Sequence, residues 1–331
     1  VGLAGALVGV AAVGGVRVTG RRLRALADPA LDDPLAPPTD VVHHQIETDD
    51  GGSLHVVDTG PAADGGSRPV VLMHGITLQW WVWSAAIRLL RDRHRVLAWD
   101  MRGHGRSRAG TDGATLEAAA RDVARMIDVL ELDDVILVGH SMGGMVIGRF
   151  AADHHRLLHE RVTGLVFVAT SAAPMAQAAV VGGLSALAGL AGRLAAASTK
   201  RPRFSYPWHE GDLSAVLVAT AFGKHPTARM IDDVRRMEME MSTADMAEAA
   251  ASIATHDVRE DLRQVDVASV VVVGTHDKLT PPVHARELHR LVRGSELHTL
   301  AGIGHQVMQE QPEAIVAAVE AVAVRGGGQG A

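Results

Sequence analysis

The run Gly139-His140-Ser141-Met142-Gly143 follows a short apolar stretch, Val135–Val138, and precedes a helical pattern from Met142 to Ala152. Glycines flanking a serine at a strand-to-helix turn permit a backbone too tight for larger neighbours and push the hydroxyl into the open. A seryl hydroxyl is a poor nucleophile until a base removes its proton, so the pattern calls for a histidine brought close by the fold. Of the 18 histidines, the candidate is His305, in a Gly-Ile-Gly-His loop after the strand-like run Glu296–Leu300. That is the end of a parallel sheet at which ligands bind. The imidazole in turn needs an acid to fix its tautomer and stabilise its charged form, and Asp277 follows the apolar run Val270–Val273.

Attack on a carbonyl places negative charge on oxygen, which must meet donors already in position. The backbone N–H of Met142, at the start of a helix, supplies one. The second is expected from Ile76, after His74-Gly75 in the loop that follows Val70–Met73. Trp80 and Trp81, just beyond that loop, are candidate substrate contacts, and with Met237, Met239 and Met241 they point to an apolar acyl or alcohol group. Trp83 reads as core. His154, His155 and His159 read as a solvated helix face, and no metal site or cofactor is assigned.

These residues need a frame. Alternation in Val41–Thr48 and Leu54–Asp58, around Asp49-Asp50-Gly51-Gly52, predicts an antiparallel hairpin. Continuous apolar runs at Val70–Met73, Val96–Trp99, Val135–Val138, Leu165–Ala169 and Val270–Val273 predict strands buried on both faces, as in a parallel sheet. Thr115–Leu130 has a helical apolar stripe with Thr115 as N-cap. About 100 residues separate the last two apolar runs, far more than a crossover needs, which predicts an insertion. Within it Ala172–Ala197 reads as small-residue helix, 201–212 as an irregular turn and Asp232–Ala254 as one Met-rich helix. The expected fold is α/β, a doubly wound, mostly parallel eight-stranded sheet with a helical cap. The expected organisation is an apolar helix over 1–27, a Pro/Asp linker over 28–40, the core over 41–170 and 256–322, the cap over 171–255 and a flexible Gly-rich tail over 323–331.

With no cysteine, disulfides, thiolate metal sites and Cys nucleophiles are excluded, and a net charge of −6 makes nucleic acid an unsuitable partner. Val1–Val16 carries no charge and is followed by Arg17, Arg21, Arg22 and Arg24. At ~1.5 Å per residue it falls just short of a ~30 Å hydrocarbon core. Two readings stay open: membrane association through residues 1–24 with the basic flank on the cytoplasmic side, or an apolar helix docked on the domain or a partner. The corresponding location is cytoplasmic, or membrane-associated on that side.

The combination of LMHG at Leu72–Gly75, DMRGHGRS at Asp100–Ser107, GHSMGG, GTHDKLTP and GIGHQVMQEQP resembles the serine-nucleophile α/β hydrolases over about residues 41–322. The resemblance implies a triad in the chain order Ser141, Asp277, His305. Some members carry the acid one strand earlier, but Ala169-Thr170-Ser171-Ala172 offers no carboxylate. Arg102 and His104 lie in a loop that is largely structural in the family. Ser141 stands where epoxide hydrolases and haloalkane dehalogenases carry Asp, which argues against those reactions. The leader is similar to those of actinobacterial hydrolases. The implied activity is hydrolysis of small carboxylic esters through an acyl-enzyme. Perhydrolase or haloperoxidase-like, lactonase or carbon–carbon hydrolase chemistry on the same triad are the alternatives, with a non-catalytic ligand receptor behind them.

Overall fold

The computed structural model describes residues 35–62, 68–174 and 212–326. The opening hairpin pairs β1 (Val42–Glu47) antiparallel with β2 (Ser53–Asp58), and Gly51, at φ +80°, takes the left-handed position in its turn. Every residue of β2 is buried, whereas β1 is mostly exposed, as an edge strand must be. The remaining strands are β3 (Val70–Met73), β4 (Val96–Trp99), β5 (Val135–His140), β6 (Val162–Val168), β7 (Ser269–Gly274) and β8 (Glu296–Leu300). They form one 8-stranded sheet in the order β1-β2-β4-β3-β5-β6-β7-β8, antiparallel at β1-β2-β4 and parallel beyond.

Helices cover both faces, which is why the central strands are apolar without alternation. In chain order they begin with α1 (Ser84–Leu90), α2 (Leu116–Val129), α3 (Met142–Asp153) and α4 (His155–Arg161). After β6 come α5 (Asp212–Ala219), α6 (Ala228–Glu240) and α7 (Thr243–Thr255), and among the last strands α8 (Pro282–Leu291), α9 (Val307–Glu310) and α10 (Pro312–Gly326). Val71, Met73, Leu137 and Val271 join the core under α2, α3 and α8. Their neighbours Val70, Leu72, Ile136 and Val270 join the core under α1 and α10, so successive residues of one strand serve opposite layers. Thr115 caps α2 as expected, accepting the Ala118 N–H at 3.3 Å.

The single Met-rich helix expected over Asp232–Ala254 is instead two. Met241 leaves the helical region at ψ 136°, and Ser242 restarts it by accepting the Asp245 N–H at 3.1 Å. A Ser-x-x-Asp start signal lies inside a stretch read only for its apolar residues. Residues 175–211 lie outside the described residues, and with them most of the small-residue helix and the irregular turn. The leader over 1–27 also lies outside them; among the described residues no helix is long and apolar enough to cross a membrane. The last part of the linker is docked on α1: Leu35 is buried, Arg88 donates to the Ala36 carbonyl at 2.6 Å and Arg91 pairs with Asp40 at 2.8 Å. α10 continues to Gly326, into the stretch expected to be tail.

Candidate active site

Ser141 is the single residue between β5 and α3, held at φ 51°, ψ −114°. For a residue with a Cβ this is a strained conformation, costing about 1–3 kcal/mol, which the surroundings must hold. Its N–H donates to Val168 O at 2.9 Å, and its carbonyl accepts from Thr170 Oγ1 at 2.6 Å and Gly144 N–H at 3.0 Å. A Cβ on Gly139 would run into the Gly143 carbonyl group, and one on Gly143 into the Met73 carbonyl oxygen, so both glycines are required by contact. The seryl hydroxyl is partly exposed and makes no hydrogen bond among the described residues.

Asp277 and His305, 28 residues apart in the chain, meet at 2.9 Å between Oδ2 and Nδ1, and each is only 4% exposed. The Asp277 carboxylate also accepts the Leu279 N–H at 2.9 Å, the Thr280 N–H at 2.8 Å and the Thr280 hydroxyl at 2.7 Å. With its own proton committed to Asp277, the Thr280 oxygen lies 3.2 Å from His305 Nδ1 and can only accept there. This network places the ring proton on Nδ1 and leaves Nε2 with a free lone pair. His140 connects this pair to the serine. Its Nε2–H donates to the His305 carbonyl at 3.0 Å, and the two rings stand 4.6 Å apart. Complete burial, with His305 beside it, holds the His140 imidazole well below the usual range and therefore neutral.

Two peptide planes give the oxyanion candidates their direction. The Gly75 carbonyl accepts from His74 Nδ1 at 2.7 Å and from the Leu78 N–H at 3.2 Å. In a trans peptide the next N–H points the opposite way, so Ile76 N–H is turned away from those partners. The pinned Ser141 carbonyl does the same for Met142 N–H. Among the described residues neither N–H has an acceptor. A Cβ on Gly75 would lie 3.2 Å from Ser141 Cβ, so the two loops are in contact. Two neutral imidazoles brace the first loop. His74 accepts the Met101 N–H at 3.0 Å, and His104 accepts the Thr77 N–H at 3.1 Å, where Thr77 sits at φ 63°. Burial pushes His74 down to about 3 and lowers His104 as well.

Trp80 is 8% exposed and packs edge-on against His43 and His55, within the core. Trp81 is half-buried and donates its indole N–H to Gln79 at 2.8 Å. Gln79 in turn meets the cap, donating to Met237 Sδ at 3.2 Å and Glu240 at 2.7 Å. Arg102 grips Asp122 through two bonds of 2.7 and 2.8 Å and Asp50 at 3.0 Å, tying α2 to the hairpin turn. No group of three or more His, Asp or Glu residues able to hold a metal occurs among the described residues. Thr280 and His140 both lie inside recognisable motifs, but only the fold brings them to His305 and so reveals their roles.

Residues 68–312 match the family model of the alpha/beta hydrolase fold. The AB hydrolase superfamily protein YisY of Bacillus subtilis is 26% identical, over 82% of this chain and 96% of its own. A non-heme chloroperoxidase of Streptomyces lividans is 28% identical, over 82% and 95%. Among solved structures, a thermophilic esterase from Thermogutta terrifontis superposes with a TM-score of 0.66 at 26% identity, over 86% of this chain and 98% of its own. A serine turn at the end of β5, a buried Asp–His pair beyond β7 and β8, and a match that spans most of the sequence all lead to one assignment: the chain belongs to the alpha/beta hydrolase fold family and is a hydrolase.

Proposed function

We propose that the protein cleaves carboxylic esters with apolar acyl or alcohol groups through an acyl-enzyme on Ser141. The observation that carries this reading is the buried Asp277–His305 pair, whose loop accepts a hydrogen bond at the His305 carbonyl from His140, the residue preceding a strained, partly exposed serine. In the proposed cycle His305 Nε2 takes the Ser141 proton as the oxygen attacks the ester carbonyl. Asp277 stabilises the imidazolium, and the N–H groups of Ile76 and Met142 receive the oxyanion. His305 then protonates the leaving alcohol, and water, activated by the same imidazole, releases the acid. A resting serine needs no hydrogen bond to its base, since such bonds tighten when substrate excludes water.

Ser141→Ala and His305→Gln should each lower kcat/KM for p-nitrophenyl esters by about 10⁴-fold or more while leaving the unfolding midpoint unchanged. A fluorophosphonate probe should label wild type at Ser141. Substantial turnover in folded Ser141→Ala would reject the mechanism. Likeness to a chloroperoxidase supports a second reading, in which hydrogen peroxide instead of water intercepts the acyl-enzyme and yields a peracid. Peroxide-dependent oxidation of bromide in the presence of acetate separates the two, and lactones and diketones in the same panel test the other chemistries open to this triad.

A further inference from the structure

The cap and the histidine loop meet where two glycines touch. A Cβ on Gly223 would collide with the Gly302 carbonyl oxygen, and one on Gly304 with the Phe222 carbonyl carbon, so no side chain separates the two backbones. The contact is bonded across its length. Lys224 N–H donates to Gly302 O at 2.9 Å, and His305 N–H donates to Ala221 O at 2.6 Å. Between these two bonds, Gly223 N–H at 2.8 Å and Gly304 N–H at 3.0 Å both donate to the carboxylate of Glu310, the last residue of α9. Glu310 is half-buried and pairs with no cation among the described residues. Burial raises its carboxyl above the usual range, against the pull of those glycine N–H groups.

We propose that Glu310 is a positioning residue: by joining Gly223 and Gly304 it fastens the cap to the catalytic loop and sets where the His305 imidazole stands. The inference rests on the reading of His305 as the base. A shift of the cap segment is transmitted through the Ala221 bond to His305 itself. Nε2 must come within about 2.6–3.2 Å of the seryl oxygen, and a displacement of ~1 Å costs about 10²-fold in rate. Removing the carboxylate also leaves two N–H groups of a tight backbone contact without an acceptor, which favours parting of the two segments.

The test uses the full chain. Glu310→Ala should lower kcat for p-nitrophenyl butyrate about 10- to 100-fold with KM within about threefold. Glu310→Gln should recover part of the loss, because one amide oxygen can accept both N–H groups. Hydrogen exchange gives a readout that needs no turnover: peptides over 221–224 and 302–305 should exchange faster together in Glu310→Ala, while α3, over 142–153, is unchanged. If wild type cleaves no ester, the proposed function fails and the clasp is judged by exchange alone. Wild-type kcat and exchange in Glu310→Ala, or faster exchange in only one of the two segments, would overturn the proposal. Should Glu310→Ala not fold, Glu310→Asp, which keeps the charge but cannot reach both glycines, is judged by the same two criteria.

Discussion

The Thr280 hydroxyl does two things with one oxygen: it donates to Asp277 and lies where it can accept from His305 Nδ1. Thr280→Val keeps the shape and deletes both bonds, so kcat should fall by about 5- to 50-fold, the loss of one buried hydrogen-bonded partner, with KM little changed. Thr280→Ser should retain most activity; equal losses in both variants would mean that the methyl group, not the hydroxyl, matters. Ser141, Asp277 and His305 stand out as candidates in the sequence because each lies in a turn with glycines nearby, just after a strand-like run. Thr280, His140 and Glu310 stood in the same motifs without a readable task. Their partners are main-chain atoms or side chains that only folding supplies, as with the His305 carbonyl, 165 residues from His140. Trp80 and Trp81 are neighbours in sequence but not in environment. In the 3-10 turn Trp80–Trp83 successive side chains diverge by about 120°, and one goes to the core while the next stays half-exposed.

Strands were the most legible elements. The boundaries of β3 and β4 coincide with the apolar runs, because strands buried on both faces have little to interrupt them, and those of the more exposed edge strand β8 coincide with its strand-like run. Helices of the cap were less so, since apolar spacing does not register a break that capping chemistry makes at Ser242. α3 illustrates how contact, not propensity, dictates sequence in the elbow. Gly143→Ala would favour helix intrinsically, yet its Cβ meets the Met73 carbonyl at the end of β3. The expected outcome is a net loss of about 1–3 kcal/mol, visible as a lower urea midpoint, because the strand backbone cannot give way as a side chain would. A midpoint at or above wild type would show that the elbow relaxes more readily than its geometry implies.

At the scale of the molecule, buried histidines couple stability to pH. Burial lowers His74, His104, His140 and His256 below the ordinary imidazole range, His256 to about 4, and His43, His154 and His284 shift the same way. The unfolded chain binds protons at these sites from about pH 6.5 downward, whereas the folded chain does not, so stability falls as pH drops toward 4. Asp122, Glu310 and Glu238, the last pushed up to about 7, are raised and act in the opposite sense, but they are fewer. Urea midpoints at pH 7, 6 and 5 should therefore decline steadily, and His256→Phe should flatten the decline, each site contributing at most ~1.4 kcal/mol per pH unit. A midpoint that rises on acidification would contradict this. The loops after β3, β5, β7 and β8 leave from one end of the parallel sheet, while the layers beneath them carry the packing. Most side-chain changes in those loops thus leave the packed layers untouched, and a library aimed at the rim that keeps its contact glycines can be screened without reoptimising the scaffold.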